Sequence, residues 1–355
     1  MDAELRQAER EGGLRALIQR SRVEGEGVWL ELLADREKWN AQPPEAQYAV
    51  IGLVGQRLGS GYELAGVRVW ECASVRTDEG DHARGLQVPV DRLGGDLERR
   101  TTTTTLSHRL ATFRHVATGM ELNLLPGVRE DFRFEEEGCP ECPTCDGHRL
   151  VEGNPCDECG GVGSLPLHVP AIKPFLFGRY PVTRDQHWPA VTGPVDEEPV
   201  TGLSHAEAME WLKSLGLRLP SSAEWEHGCR AGSTTRFFWG DGMDDRYCWH
   251  SGNIAEPFYE GQEIHGLGDI SVNFGPRAPS EHDEAGRWNA FGLIDTIGNV
   301  WELLDDGKVK GRCYDSQWLF ATRQSGGIES IDPATQDQGT VGFRAALSIP
   351  GMEAP

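Results

Sequence analysis

Five of the nine cysteines fall within 21 residues, in the run from Gly138 to Gly163 that reads GCPECPTCDGHRLVEGNPCDECGGVG. Cys142-x-x-Cys145 and Cys156-x-x-Cys159 are two pairs separated by 10 residues. Two intervening residues let one tight turn present both sulfurs, and four thiolates can then close a tetrahedron around zinc. Gly147 after the first pair and Gly160 after the second permit those turns and let backbone N–H groups approach sulfur. The spacing therefore predicts one zinc ion held by Cys142, Cys145, Cys156 and Cys159. Cys139 also makes a C-x-x-C with Cys142, so the set could slip by one knuckle. Asp146-Gly147 turns where Pro143 is constrained, which favours the first assignment. Four cysteines leave no open coordination position, so this zinc would hold a loop and do no catalysis. Cys72, Cys229 and Cys248 read as ordinary buried thiols.

Other site chemistries find little support. The 11 histidines never occur at H-x-x-x-H spacing, and no G-x-S-x-G, P-loop or dinucleotide fingerprint is present. The formal net charge is −22, from 56 acidic and 34 basic residues. So acidic a surface repels phosphate backbones and disfavours general nucleic-acid binding. The first 20 residues are charged throughout and have no apolar core of a signal peptide, and no run approaches a membrane helix. Cysteines in metal spacing without a leader point to the cytoplasm rather than to an oxidised scaffold.

The elements that must carry these residues can be read coarsely. Residues 2 to 35 have a helical pattern through Leu5, Ala8, Leu14, Leu17 and Ile18, followed by Trp29, Leu30, Leu32 and Leu33. Pro43-Pro44 interrupts it, and Ala46 to Leu58 restarts it with Ala46, Ala49, Val50, Leu53 and Val54 on one face. Tyr62 to Val75 alternates as a strand. Arg92 to Thr105, with Gly94-Gly95 and five consecutive threonines, reads as a linker. This predicts a small α-rich accessory domain over 1–105 and a second domain over 106–355, with the cysteine run inserted into it at about 138–165.

The densest stretch is Trp288 to Leu303, reading WNAFGLIDTIGNVWEL. Asn289, Gly292, Asp295, Gly298 and Asn299 are turn and cap formers set between the apolar plugs Phe291, Leu293, Ile294, Val300 and Trp301. Such a mixture suits a compact looped core in which side chains satisfy backbone groups that cannot reach water. The stretch resembles the central signature of the formylglycine-generating-enzyme/sulfatase-modifying-factor family. Further similar blocks follow in order: Ala117 to Gly127, Tyr180-Pro181-Val182-Thr183, Arg218 to Gly232 (RLPSSAEWEHGCRAG), Phe238 to Asp241, and the closing Gly342-Phe343-Arg344. The resemblance spans roughly residues 106 to 347. It implies an α+β domain of the C-type-lectin-like fold, while the cysteine run resembles half of the zinc region of DnaJ-type chaperones.

The same resemblance says what an active site would need. Oxidases of the family hold copper with two cysteines shortly after a strand that corresponds here to Lys310–Tyr314. Counting on without gaps gives Ser316 and Ala321, neither of which binds copper as a thiolate. Cys313 is present, but no second cysteine lies between 314 and 355. The iron enzymes of the family need an HxxxHxE motif that is missing. The resemblance also implies calcium sites in some members, which here would draw on Asn253, Ile254, Asn299 and Glu302. The alternative at Glu302 is an ion pair with a buried arginine.

The segment from Tyr314 to Val341 departs most from the family's enzymes. It is rich in Ser, Thr, Gln, Asp and Gly, with aromatic residues interleaved. Aromatic anchors among adaptable polar side chains compose a recognition surface. Alternation would place Tyr314, Ser316, Trp318, Phe320 and Thr322 on one face, with Asp315 and Gln324 completing the expected contact set. This arrangement resembles the non-catalytic variable proteins of diversity-generating retroelements. The resemblance implies a binding protein for a protein or other macromolecular ligand, without turnover. The rival reading is a metal-dependent oxidase with a displaced site.

Overall fold

A computed structural model describes residues 29–34, 36–77, 84–89, 104–128, 132–134, 150–151, 154–155, 167–169, 171–189, 196–233, 237–240, 244–254, 276–280, 283, 287–315, 329–330 and 339–352. The fold is α+β, and its sheets are mostly antiparallel. The strands are β1 (Tyr62–Thr77), β2 (Arg84–Pro89), β3 (Thr104–His115), β4 (Glu121–Leu125), β5 (Phe132–Phe134), β6 (Leu150–Val151), β7 (Asn154–Pro155), β8 (Leu167–Val169) and β9 (Phe175–Gly178). There follow β10 (Trp301–Leu303), β11 (Lys308–Lys310), β12 (Glu329–Ser330), β13 (Val341–Phe343) and β14 (Ala346–Ser348).

The larger sheet runs β14-β9-β4-β3-β1-β2, antiparallel at every pairing. Its central strands are covered on both faces. Phe175 and Phe177 of β9 enter one apolar cluster with Leu110, Trp225 and Phe291, while Leu176 enters the other with Phe113, Leu122 and Val54. That double burial explains why β9, reading FLFG, is a continuous apolar run rather than an alternating one. The second sheet runs β12-β11-β10-β13, with β13 parallel to β10.

The N-terminal segment belongs to this body, which corrects the expected boundary at 105. Thr104 and Thr105, read as linker, already lie in β3, opposite Ser74 and Ala73 of β1. The helix Pro44–Leu58 starts on a proline at its first turn, where the missing N–H costs nothing. It buries Tyr48, Val50, Ile51, Leu53 and Val54 in the same cluster as Leu122, Leu176 and Phe343. Gly127 N–H donates to Leu33 O at 2.7 Å, and Arg36 Nη1 donates to Ala231 O at 3.1 Å. A local reading of periodicity finds the helix and the strand but cannot see that their partners lie in the second half of the chain. Residues 1–28 and 90–103 lie outside the described residues.

The expected insertion leaves and returns through a ribbon. Phe132 pairs with Val169 and Phe134 with Leu167, and the bridge Val128–Ile172 continues the ribbon toward the larger sheet. Cys142, Cys145, Cys156 and Cys159 lie outside the described residues.

Candidate functional site

The site is built on the loop that follows Trp288. Every residue from Asn289 to Leu304 is buried. Asn289 organises its first turn: Oδ1 accepts from Phe291 N at 2.9 Å and from Leu293 N at 3.1 Å. Its Nδ2 donates to Gly228 O at 2.7 Å and Cys229 O at 3.0 Å, satisfying carbonyls at the end of the helix Ser222–Arg230. That helix begins with a reciprocal cap between Ser221 and Glu224, and Arg218 grips the Glu224 carboxylate with two bonds of 2.7 and 2.6 Å. Gly298 has φ +79°, and a Cβ there would lie 2.4 Å from Trp249 O, so only glycine fits.

Arg344 is the hub, fully buried with its donors directed at three parts of the chain. Nε donates to Glu302 Oε2 at 3.0 Å and Nη2 to Glu302 Oε1 at 2.6 Å. Nη1 donates to Gly178 O at 2.9 Å and Arg179 O at 2.8 Å, and Nη2 also reaches Ile294 O at 2.8 Å. The Trp225 indole N–H donates to Glu302 Oε2 at 2.7 Å. The pair is bidentate and hydrogen-bonded all round, the condition under which a buried ion pair is tolerated.

A second buried cluster lies on the other side of Trp225. Glu226 Oε2 accepts from Lys310 Nζ at 2.5 Å and Oε1 from Arg230 Nε at 2.8 Å. Burial opposes ionisation of Glu226, but the charges of Lys310 and Arg230 outweigh it and hold the carboxyl below the usual range. Lys310 Nζ also stands 5.9 Å from the Trp225 ring centroid.

These two clusters hold the two feet of the C-terminal segment. Lys310 ends β11, four residues before Tyr314, and Arg344 directly follows β13. Tyr314 N–H donates to Asn299 O at 2.8 Å, and its hydroxyl donates to Gly339 O at 3.2 Å, which ties the two feet together. Tyr314 is 8 % exposed, so the expected outward-facing contact is instead an inward clasp. Its ring fills the base and its hydroxyl satisfies a backbone carbonyl there. Asp315 is exposed. Ser316, Trp318, Phe320, Thr322 and Gln324 lie outside the described residues.

The residues expected to hold calcium are already engaged in hydrogen bonds within the chain. Both Glu302 oxygens accept from Arg344, and one also from Trp225. Asn299 Oδ1 accepts from Arg277 N at 2.9 Å, and Ile254 O accepts from Arg277 Nη2 at 2.9 Å. Asn253 Oδ1 accepts from His250 N at 2.8 Å, while its Nδ2 donates to Asp245 O and Cys248 O. Among the described residues no group of three or more His, Cys, Asp or Glu side chains could hold a metal ion. Glu302 thus realises the ion-pair alternative.

Cys229, Cys248 and Cys313 are buried. Burial pushes the Cys229 and Cys248 thiols up to about 12, so neither supplies a thiolate at neutral pH. Sequence reasoning missed Arg277, Lys310 and Arg312. Arg312 sits at φ +69° with its guanidinium 5.2 Å from the Trp301 ring centroid. No spacing signals these three, because each acts on partners far along the chain. The Glu226–Arg230 pair, at a four-residue helical step, was legible in principle.

Comparisons with known proteins bear on the same region. The chain is 32% identical over 129 residues to the formylglycine-generating enzyme of Mycobacterium tuberculosis, covering 35% of this chain and 37% of that protein. It is 34% identical over 109 residues to the formylglycine-generating enzyme of Mus musculus, covering 30% and 27%. The chain thus spans little more than a third of the first of these curated relatives and less of the second. Among solved structures, Treponema denticola variable protein 1 aligns with a TM-score of 0.40 and 15% identity, over 64% of this chain and 95% of that one. The description "Sulfatase-modifying factor enzyme 1-like domain" matches residues 144–349. That span takes in the whole arginine–glutamate hub and both feet of the C-terminal segment, and it exceeds half of the chain, which therefore belongs to the sulfatase-modifying factor enzyme 1-like family.

Proposed function

We propose that this chain is a non-catalytic ligand-binding protein that displays its C-terminal segment on a C-type-lectin-like scaffold, as a variable protein of a diversity-generating retroelement does. The observation that carries the reading is the pair Ser316 and Ala321, which stand where the family's oxidases place copper-binding cysteines. Copper(I) chemistry needs thiolates, and a hydroxyl and a methyl group cannot replace them. The buried position of Cys313 supports the reading, since a side chain 4 % exposed is poorly placed to meet a substrate thiol. The feet of the segment are held by buried charge clusters, a scaffold on which side chains from Asp315 onward can change without disturbing the core.

The recognition residues of this reading are Asp315, Ser316, Trp318, Phe320, Thr322 and Gln324, with Tyr314 as their base. The ligand is a protein or another macromolecule rather than nucleic acid, because the acidic surface repels phosphate. The cysteine insertion carries one structural zinc, and the protein acts in the cytoplasm. No helix among the described residues is long and apolar enough to cross a membrane.

A second reading, a family-type oxidase with a displaced site, draws on the relatives named formylglycine-generating enzyme. One assay separates them. Copper is added to the reduced protein with a cysteine-containing peptide and oxygen. The binding reading expects no specific oxidation of the peptide cysteine. Turnover that disappears in Cys313→Ala establishes the oxidase reading instead.

A further inference from the structure

Three loops meet around Arg277. The first is the turn from Trp249 to Ile254, closed by Asn253. The second is the backbone at Arg277. The third is the buried loop from Asp295 to Asn299. Asn299 sits at φ +62°, a conformation that presents its side-chain amide to the Arg277 backbone. Its Oδ1 accepts from Arg277 N at 2.9 Å and its Nδ2 donates to Arg277 O at 2.8 Å, a two-bond clasp of one residue's backbone. Nδ2 also donates to Asp295 Oδ2 at 2.8 Å. Asn299 N–H in turn donates to Trp249 O at 3.0 Å. The Arg277 guanidinium then reaches across the junction. Nη2 donates to Ile254 O at 2.9 Å, and the guanidinium carbon stands 5.8 Å from the Trp249 ring centroid.

The oxygens assembled here, a main-chain carbonyl, an asparagine amide and a nearby carboxylate, are those a hard divalent cation seeks. The carbonyl of Ile254 and the amide oxygen of Asn299 already accept from Arg277, and the Asp295 carboxylate accepts from Asn299 Nδ2. A calcium ion drawing on Ile254 O would sit beside the guanidinium and meet repulsion between like charges. We propose that Arg277 replaces a divalent cation as the link between the 249–254 turn and the 295–299 loop, so that this junction forms without calcium. The guanidinium supplies positive charge and a directed donor to the carbonyl, within 5.8 Å of the Trp249 ring centroid. A cation would supply charge alone. The linkage holds whether the protein is a binder or an enzyme, so its test does not depend on the function proposed above.

The test uses the full chain, with zinc kept constant and calcium removed by dialysis. Thermal melts are compared without calcium and with about 1 mM calcium, enough to fill even weak structural sites. Calcium bound after equilibrium dialysis is measured in parallel. The expected result is no stoichiometric calcium and a melting temperature that is the same with and without calcium. Arg277→Ala should melt several degrees lower, and Arg277→Lys, which keeps the charge but loses the flat fork, should fall between. One bound calcium per chain together with a calcium-dependent rise in the wild-type melting temperature overturns the proposal. So does an Arg277→Ala variant that melts with the wild type. Should Arg277→Ala fail to fold, the wild-type calcium arm and Arg277→Lys still decide.

Discussion

Glu302 and Glu226 are two buried carboxylates on either side of Trp225, and they are neutralised in different ways. Glu302 meets a guanidinium whose remaining donors go to backbone carbonyls of other segments. Glu226 meets the Lys310 ammonium, from 84 positions along the chain, and a helical neighbour, Arg230. The first is a junction of β9, the 294–295 turn and the strand after the C-terminal segment. The second is a clamp on the strand before it. The difference teaches that charge can be used either to specify where several chains meet or merely to neutralise a buried partner. Only the former should resist apolar replacement.

Breaking the junction should have the largest effect. Arg344→Ala strips the buried Glu302 carboxylate of its counter-charge, leaving it the Trp225 indole, and takes a donor from several carbonyls, and removing one partner of a buried pair costs about 3–5 kcal/mol. Arg344→Lys should rescue little, because one ammonium cannot reproduce the fork. Thermal melting and yield of folded protein measure this. An Arg344→Lys variant melting within a few degrees of the wild type would mean the geometry matters less than the charge.

The clamp should behave otherwise. Lys310→Met alone strands Glu226 beside Arg230 and should cost about 3 kcal/mol, as for a broken buried pair. Glu226→Leu combined with Lys310→Met should recover most of that loss, since apolar replacement of a buried pair is often neutral. The double-mutant cycle reads the coupling directly. A double variant no better than Lys310→Met would place the clamp in the same class as the junction.

Acid sharpens the comparison at a third buried group. His227 donates from Nε2 to Pro126 O at 2.8 Å, and burial lowers its pKa to about 4. The unfolded value is about 6.5. As pH falls through that value, the unfolded chain takes up a proton that the folded chain refuses, so stability declines from near neutrality and the loss is complete near the folded value. The shift corresponds to roughly 3 kcal/mol at full protonation. His115, His187 and His250 are lowered by burial too and act in the same direction. Glu226, held below its usual range, adds its own loss only at lower pH. His227→Gln should flatten the fall in melting temperature between about pH 6.5 and 4.5. Equal slopes would assign the acid sensitivity elsewhere.

Much of the hub was legible, because turn formers alternating with apolar plugs over Trp288–Leu303 have no other good arrangement. The structure buries Asn289 through Leu304 without a break. The helix expected over 46–58 and the strand over 62–75 are present as Pro44–Leu58 and Tyr62–Thr77. Their placement was not legible. Polar threonines read as linker, yet Thr104 and Thr105 pair with β1, since a strand needs hydrogen-bonding partners more than it needs apolar side chains. Tyr314 was placed in the contact set by alternation, but it lies in a turn shortly after Gly311 and Arg312, both at positive φ, where period-two reasoning no longer applies. The roles of Lys310 and Arg277 depend on residues 84 and 22 positions away, which no local pattern reports.

The smallest expected effect is the one on which the functional reading depends. If the charge clusters and the Tyr314 clasp hold the feet of the segment, its aromatic residues beyond Asp315 are not needed for folding. Surface replacements usually change stability by less than about 0.5 kcal/mol. Truncating a buried tryptophan costs about 3–5 kcal/mol. Trp301, 8 % exposed and under Arg312, is the internal standard. Trp301→Ala should lower the melting temperature by roughly 4–7 °C, at about 1.3 °C per kcal/mol for a chain of this size. Trp318→Ala combined with Phe320→Ala should leave it nearly unchanged and weaken ligand binding, since aromatic anchors carry most interface energy. Melting of the two variants decides without knowledge of the ligand. If the Trp318/Phe320 double variant collapses as far as Trp301→Ala, those rings are core, and the segment is part of the scaffold rather than the surface it presents.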